Sequence, residues 1–594
     1  MRADAAAEYA HRLDGFRACL AQAERREEFY GNARVAAFVL GLIVAGGALI
    51  GQWFSPLWLV PTGMVFLFLV HRHGKVLASA GRSRRAAAWY ERGLARLAGQ
   101  WPGTGQTGER FQNEQQPFAL DLDLFGKGSL FELLSTARLR AGEDILASWL
   151  TTPALPAQVR ERQVAVAELR PLLDLREDLA LQASSLPPGL DLEALADWAK
   201  APLLQLPAAA GWLAVVLPVL ALGSLLVWAL FPVPLAPFLL AVLLEIGFTV
   251  WMGPRIWTAL KPVERRARDL SLLAGMLARL EREPFTAPLL RRLQQGLYSE
   301  GLPPSRQIAR LVNLIDLLNS QRNQLFMPLA FLLLWSYHLA VRLERWRGGV
   351  GPALAHWLET VGQFEALCAL ASYAYEHPDD PFPEVVDEGP CFEGEGLGHP
   401  FLPGGGVRNA LQLGGPLRLL IVSGSNMSGK STFLRTVGVN AVLALAGAPV
   451  RATRLKLSRL ALGATLRVQD SLQSGRSRFY AEVTRIRQLL DLAGQPPPLL
   501  FLLDELLHGT NSHDRRVGAE GVLRGLLERG AIGLITTHDL SVTDLAQRAD
   551  FGATNAHFRD HFENGQMVFD YQLRPGVVPV SNALALMRAI GLEV

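Results

Sequence analysis

The chain has 594 residues, half of them apolar, with a formal net charge of +3 and three cysteines. That length holds several domains, and a mean hydropathy of +0.19 points to membrane segments. The widely separated Cys19, Cys368 and Cys391 exclude a disulfide framework or zinc cluster and fit a reducing compartment, while the near-balanced charge neither requires nor excludes nucleic acid, so basic residues matter here by location.

Residues 1–34 read as a charged amphipathic helix, without the short apolar core and cleavage site of a leader. An apolar stretch at 35–54 and a second at 57–70 are separated only by "SP" and predict a transmembrane hairpin. Arg25, Arg26 and Arg34 precede it, and Arg72, Lys75, Arg82, Arg84 and Arg85 follow it. The positive-inside rule puts both ends in the cytoplasm. A helix and linker (71–117) lead to a helical region over 118–204. A second hairpin falls at 205–253 with "FPVP" at its tip, Lys200 before it and Arg255 and Lys261 after it. Glu245 sits inside its second arm, where an acid is costly. A further helical region with its linker spans 254–390. Within it the apolar run 325–341 contains Pro328 and His338 and is expected as a buried helix rather than a fifth crossing. Four spans and a plasma (inner) membrane location, with the remaining domains cytoplasmic, are the expectation.

The region 391–594 carries the chemistry. "LRLLIVSG" is a continuously apolar strand, "GSNMSGKSTF" (424–433) a glycine-rich turn, and "STFLRTVGVNAVLALAG" an apolar-periodic helix. Strand, turn and helix are the context a phosphate-binding loop needs. Backbone N–H groups of Gly424, Ser425, Asn426, Met427, Ser428 and Gly429 close on phosphate oxygens, Lys430 reaches the β- and γ-phosphates of ATP, and Ser431, followed by Thr432, ligates Mg²⁺. Downstream, "PLLFLLDE" brings Asp504 to Mg²⁺ through a water and Glu505 to the attacking water. "AIGLITTHD" then delivers His538 as a γ-phosphate sensor.

Two further stretches, "SLQSGRSRFYAEVTRI" (471–486) and "HGTNSHD" (508–514), complete an ordered set. With them the sequence resembles the MutS family of DNA mismatch-repair ATPases, whose motifs run GxNMxGKST, SGRSxF…E, DExxxGT and TH. The likeness continues through "TNAHF" and "VPVSNALALMRAIGL", and more loosely into "DLDLFGKGSLFELL" and "GHPFL". It implies a fold class: an α/β P-loop ATPase domain (MutS/ABC-like), preceded here by an all-α core/lever domain and two transmembrane helical hairpins. It also implies a homodimer acting on duplex DNA, with ATP and Mg²⁺ as cofactors and composite sites. In such a site Ser477 reaches the nucleotide on the partner chain, Thr510 and Asn511 cross the interface, and Asn409 lies beside the adenine. The hairpins match nothing in the classical family, and no segment corresponds to its mismatch-binding domain. The expected function is therefore a membrane-anchored MutS-like ATPase in repair or recombination. The competing readings are an ATP-gated scaffold for an unidentified protein partner and a half-transporter, against which the lack of an LSGGQ-type signature before Asp504 counts.

Overall fold

The computed structural model describes residues 2–578, apart from 52, 54, 114–115, 186–191, 205–206, 264–266, 299–301, 322, 325, 403–405, 426, 467–477, 508–509 and 564–565. The chain folds into two compact units that alternate along the sequence. The first comprises Met1–Thr136, Leu146–Leu173 and Leu367–Val594, and the second Ala137–Ile145 and Asp174–Ala366.

In the first unit, helix α1 (Arg2–Leu49) packs antiparallel on α2 (Leu59–Leu97). The charged and apolar parts of the N-terminus form one helix rather than two, because no proline interrupts them. The pair is fixed at its polar end. Tyr9 is fully buried, stacks on Tyr375 and meets Tyr90 edge-on. Its hydroxyl donates to Glu376, which also receives two hydrogen bonds from Arg96. At the other end, Val35, Phe38, Leu42, Met64 and Phe68 are all more than half exposed. The apolar part of the second arm, about 20 Å long at helical rise, is shorter than a bilayer core of about 30 Å.

The rest of this unit is built on a six-stranded sheet. Its strands are β4 (Leu419–Ser423), β6 (Ala461–Thr465), β7 (Leu499–Asp504), β8 (Ile532–Thr537), β9 (Ala553–Glu563) and β10 (Gln566–Pro575). The order is β10-β9-β4-β8-β7-β6, parallel except for β10. Strands β4, β6 and β8 are buried at every position, which is why their sequences run apolar without alternation. A smaller sheet, ordered β1-β5-β2-β3, comprises β1 (Glu384–Val386), β2 (Cys391–Leu397), β3 (Asn409–Gly414) and β5 (Arg454–Ser458).

The second unit is helical. Helices α3 (Ala208–Leu230) and α4 (Ala236–Leu260) form a hairpin whose outer face exposes Trp212, Val219, Leu230, Leu243 and Val250. Its inner face buries Ala214, Ala221, Phe248 and Met252. Tyr337 meets Phe248 edge-on, and His338 Nε2 lies 3.2 Å from the Ala214 carbonyl. Glu245 is fully buried, and neither carboxylate oxygen has a hydrogen-bond partner among the described residues.

Among the described residues three helices, not four, are long and apolar enough to cross a membrane by length and composition: Asp4–Ala48, Ala208–Leu230 and Ala236–Leu260. The second arm of the first hairpin falls short because His71 and Arg72 end its apolar stretch within α2. The run 325–341 is not one buried helix either. Met327–Leu332 forms a single short helix with Met327 and Leu329 exposed. Leu334 then turns the backbone left-handed (φ +45°) before the helix Trp335–Glu376 begins.

Candidate nucleotide site

The glycine turn leaves the C-terminal end of β4, at the centre of the sheet, and enters helix α5 (Lys430–Ala446). This is the crevice outside the strand ends where open α/β sheets bind ligands. Gly429 adopts φ +99° as the residue before the helix, with a Cβ position only 3.0 Å from the Tyr571 ring. A side chain there would be strained by backbone and neighbour alike. Ser428 Oγ donates to the Ser425 carbonyl at 2.8 Å and ties the turn to itself. Lys430 Nζ donates to the carbonyls of Gly424 (2.8 Å) and Ser425 (2.7 Å), so the ammonium is held inside the loop. Ser425 Oγ is buried without a partner among the described residues, and Asn426 lies outside them.

The acids arrive from the neighbouring strand ends. Asp504 closes β7, and its Oδ2 accepts from Ser431 Oγ at 2.6 Å. Its Oδ1 accepts from Thr536 Oγ1 of β8. Glu505 follows in a left-handed conformation (φ +50°), a sparsely populated region for a residue with a side chain. Its N–H is held by Thr536, 3.1 Å from Oγ1 and 3.2 Å from the carbonyl. His538 Nδ1 lies 3.5 Å from Glu505 Oε1. Burial lowers the Lys430 pKa, opposed by the carboxylates of Glu505, Asp504 and Asp560. Three carboxylates around one lysine would repel a polyphosphate, so an anionic nucleotide needs a cation to enter with it.

A cavity of about 560 Å³ opens over the loop, lined by His399, Asn409, Lys430, Ser431, Thr432, Glu505, Phe558 and Tyr571, among others. Asn409 therefore forms part of its wall, but its amide is engaged. Nδ2 donates to the Tyr571 carbonyl (3.0 Å) and Oδ1 accepts from Leu573 N–H (2.8 Å). Asn409 thus holds the irregular stretch of β10, where Tyr571 has φ +54°, against Gly429. His399 is kept neutral: burial first, and the Arg435 charge second, lower its pKa to about 4.

Ser477 lies outside the described residues, as does the rest of "SLQSGRS". Thr510 donates its N–H to the Leu507 carbonyl (3.4 Å), and Asn511 caps helix Ser512–Glu528 by accepting from Asp514 N–H (2.9 Å). Sequence reasoning gave no role to Thr536, Tyr571, His399 or Glu482, which receives the Leu507 N–H. Thr536 carried a signal as the first threonine of "TTHD", Glu482 as the acid of SGRSxF…E and His399 within "GHPFL"; Tyr571 carried none.

Residues 420–593 match the family MutS domain V. The C-terminal domain belongs to the MutS family. The chain is 34% identical over 195 residues to an Endonuclease MutS2 of Thermus thermophilus, covering 33% of this chain and 25% of that protein. It is 36% identical over 176 residues to a DNA mismatch repair protein MutS 2 of Haloarcula marismortui, covering 29% and 18%. It is 32% identical over 237 residues to a DNA mismatch repair protein MutS of Natronomonas pharaonis, covering 39% and 27%. The chain thus spans about a quarter or less of the first two relatives' length, and the likeness is that of the MutS-type domain.

Proposed function

We propose that this chain is a membrane-anchored MutS-type ATPase whose nucleotide cycle is coupled to duplex DNA. The observation that carries the nucleotide reading is the 2.6 Å contact between Ser431 and Asp504, which come from different motifs 73 residues apart. Ser431 and Asp504 suit Mg²⁺, being an oxygen-only pair at the loop. When bound, the ion supplies neutralising charge on the phosphates. Lys430 holds the phosphate end of the nucleotide. Glu505 accepts a proton from the attacking water, and Thr536 fixes its backbone. His538 beside Glu505 is positioned to sense the γ-phosphate. Ser477, by its motif, serves the nucleotide of a second copy, so the functional unit is a homodimer.

Membrane anchoring is supported by the apolar faces left uncovered on both hairpins, since contiguous exposed apolar patches mark interaction or membrane surfaces. The flanking arginines and lysines support a cytoplasmic position, at the inner membrane, for both hairpin ends and with them the ATPase domain. DNA as partner rests on the names of the relatives, two of which are DNA mismatch repair proteins. The test is a titration of the detergent-solubilised full chain with duplex DNA, with and without ATP, over a salt series. Binding that depends on nucleotide and weakens steeply with salt is expected. Absence of binding at low salt in both nucleotide states would remove DNA from the reading.

A further inference from the structure

We infer that the first hairpin carries a binding site for a lipid whose headgroup bears two phosphates in line, a proposal that rests on the membrane reading above. Between α1 and α2 lies a cavity of about 500 Å³ lined by Arg26, Arg72, Lys75, Tyr30, Ser79 and Gln22, among others, with no acidic side chain in its wall. Of the other basic residues of this helix pair, Arg12 is matched with Glu8, Arg17 with Glu91 and Arg84 with Glu24, while Arg25 and Arg34 lie outside the cavity wall. Arg26, Arg72 and Lys75 have no ion-pair partner among the described residues, and Arg72 lies over the Phe68 ring, 5.5 Å from its centre. Three unmatched cations in one cleft, with a phenol, a hydroxyl and an amide as further donors, form an anion site.

The depth of the cations selects the ligand. At helical rise, Arg72 lies about 3 Å beyond Val70, where the apolar stretch ends, and Lys75 and Tyr30 lie about 8 Å from the ends of their own stretches. These are the depths of the headgroup layer, which is roughly 5–8 Å thick on each side. Arg26 lies about 14 Å out, toward water. The charges are therefore staggered along the membrane normal rather than spread in its plane. That stagger matches a diphosphate projecting outward from a lipid chain, with the first phosphate at Arg72 and Lys75 and the second within reach of the long Arg26 side chain.

The test uses the full chain in vesicles and in detergent. Flotation with phosphatidylcholine vesicles, resistant to alkaline carbonate, is measured first. A chain that does not float overturns the membrane reading and this proposal with it. Native mass spectrometry of the detergent-solubilised chain then reads bound lipid, with a prenyl diphosphate, a prenyl monophosphate, phosphatidylcholine and inorganic pyrophosphate as probes. Retention of the prenyl diphosphate above all others is expected. The combined Arg26→Gln, Arg72→Gln, Lys75→Gln variant should need roughly a hundredfold more of it, three basic contacts each being worth about fivefold at a membrane surface. Arg17→Gln, which lies outside the cavity, should bind as the parent does. Equal retention of all the lipids, unchanged retention in the triple variant, or the same loss in Arg17→Gln would overturn the site while leaving the membrane reading intact. Inorganic pyrophosphate bound as tightly as the lipid would make it a site for a soluble anion and overturn the lipid assignment.

Discussion

Thr536 joins the two acids of the site, and replacing it with valine removes that link while keeping the shape. The residue is fully buried at the end of β8. Its hydroxyl donates to Asp504 Oδ1 and accepts from Glu505 N–H at 3.1 Å. A hydrogen bond to a carboxylate contributes about 1.5–3 kcal/mol. Asp504 would keep its Ser431 contact but lose the bond that fixes the rotation of its carboxylate. At 1.4 kcal/mol per decade, loss of this one bond raises the Mg²⁺ concentration for half-maximal ATP turnover by roughly 10- to 100-fold. That is the range seen when groups supporting a metal ligand are removed. The assay is ATP turnover by the full chain in detergent across a Mg²⁺ titration, with Thr536→Ser as the variant that restores the hydroxyl. Serine should recover most of the loss. An unchanged Mg²⁺ dependence in Thr536→Val, or equal loss in Thr536→Ser, would refute the assignment.

Two other predictions concern pH and topology. His399 is held neutral by burial, with a folded pKa near 4 against about 6.5 unfolded. Its contribution is therefore complete above pH 6.5 and is lost as pH falls toward 4, where the unfolded chain takes up the proton first; the loss is about 3 kcal/mol. His399 Nδ1 accepts from Phe401 N–H at 3.2 Å, a bond that the side-chain oxygen of asparagine can also accept, so chemical denaturation across that range should show His399→Asn losing less stability on acidification than the parent; parallel curves would contradict this. A single cysteine at Phe231, in the turn between α3 and α4, should be labelled by an impermeant thiol reagent in intact cells on a cysteine-free background. A cysteine at Arg84 should not, and labelling there would overturn the two-hairpin topology.

How much the sequence revealed follows from how local each determinant is. The phosphate loop, Asp504, Glu505 and His538 are legible because each sits at the end of an apolar strand, where a short window contains both the motif and its support. Thr536, Tyr571 and His399 are not, because their roles exist only once β8, β10 and the stretch after β2 meet the loop. A threonine in a strand looks the same whether or not an aspartate from the next strand lies against it. The side-chain bonds of Asn409 depend on an irregularity in β10, more than 150 residues away, which no spacing announces. The helices show the same limit. The charged start of α1 and its apolar continuation look like two elements by composition, yet backbone hydrogen bonding continues through the change. The run 325–341 looks continuous by composition, yet it breaks at Leu334.

The proposed hydrolysis of ATP at this site requires Glu505 to act on water. Its most direct measurement is the stoichiometry and turnover of ATP bound to the full chain carrying Glu505→Gln. Glutamine keeps the shape and the backbone bonds to Thr536 but cannot accept the proton. ATP should remain bound as in the parent while turnover falls by at least about 100-fold, the usual contribution of a positioned general base. Turnover at the parental rate in Glu505→Gln would contradict the account.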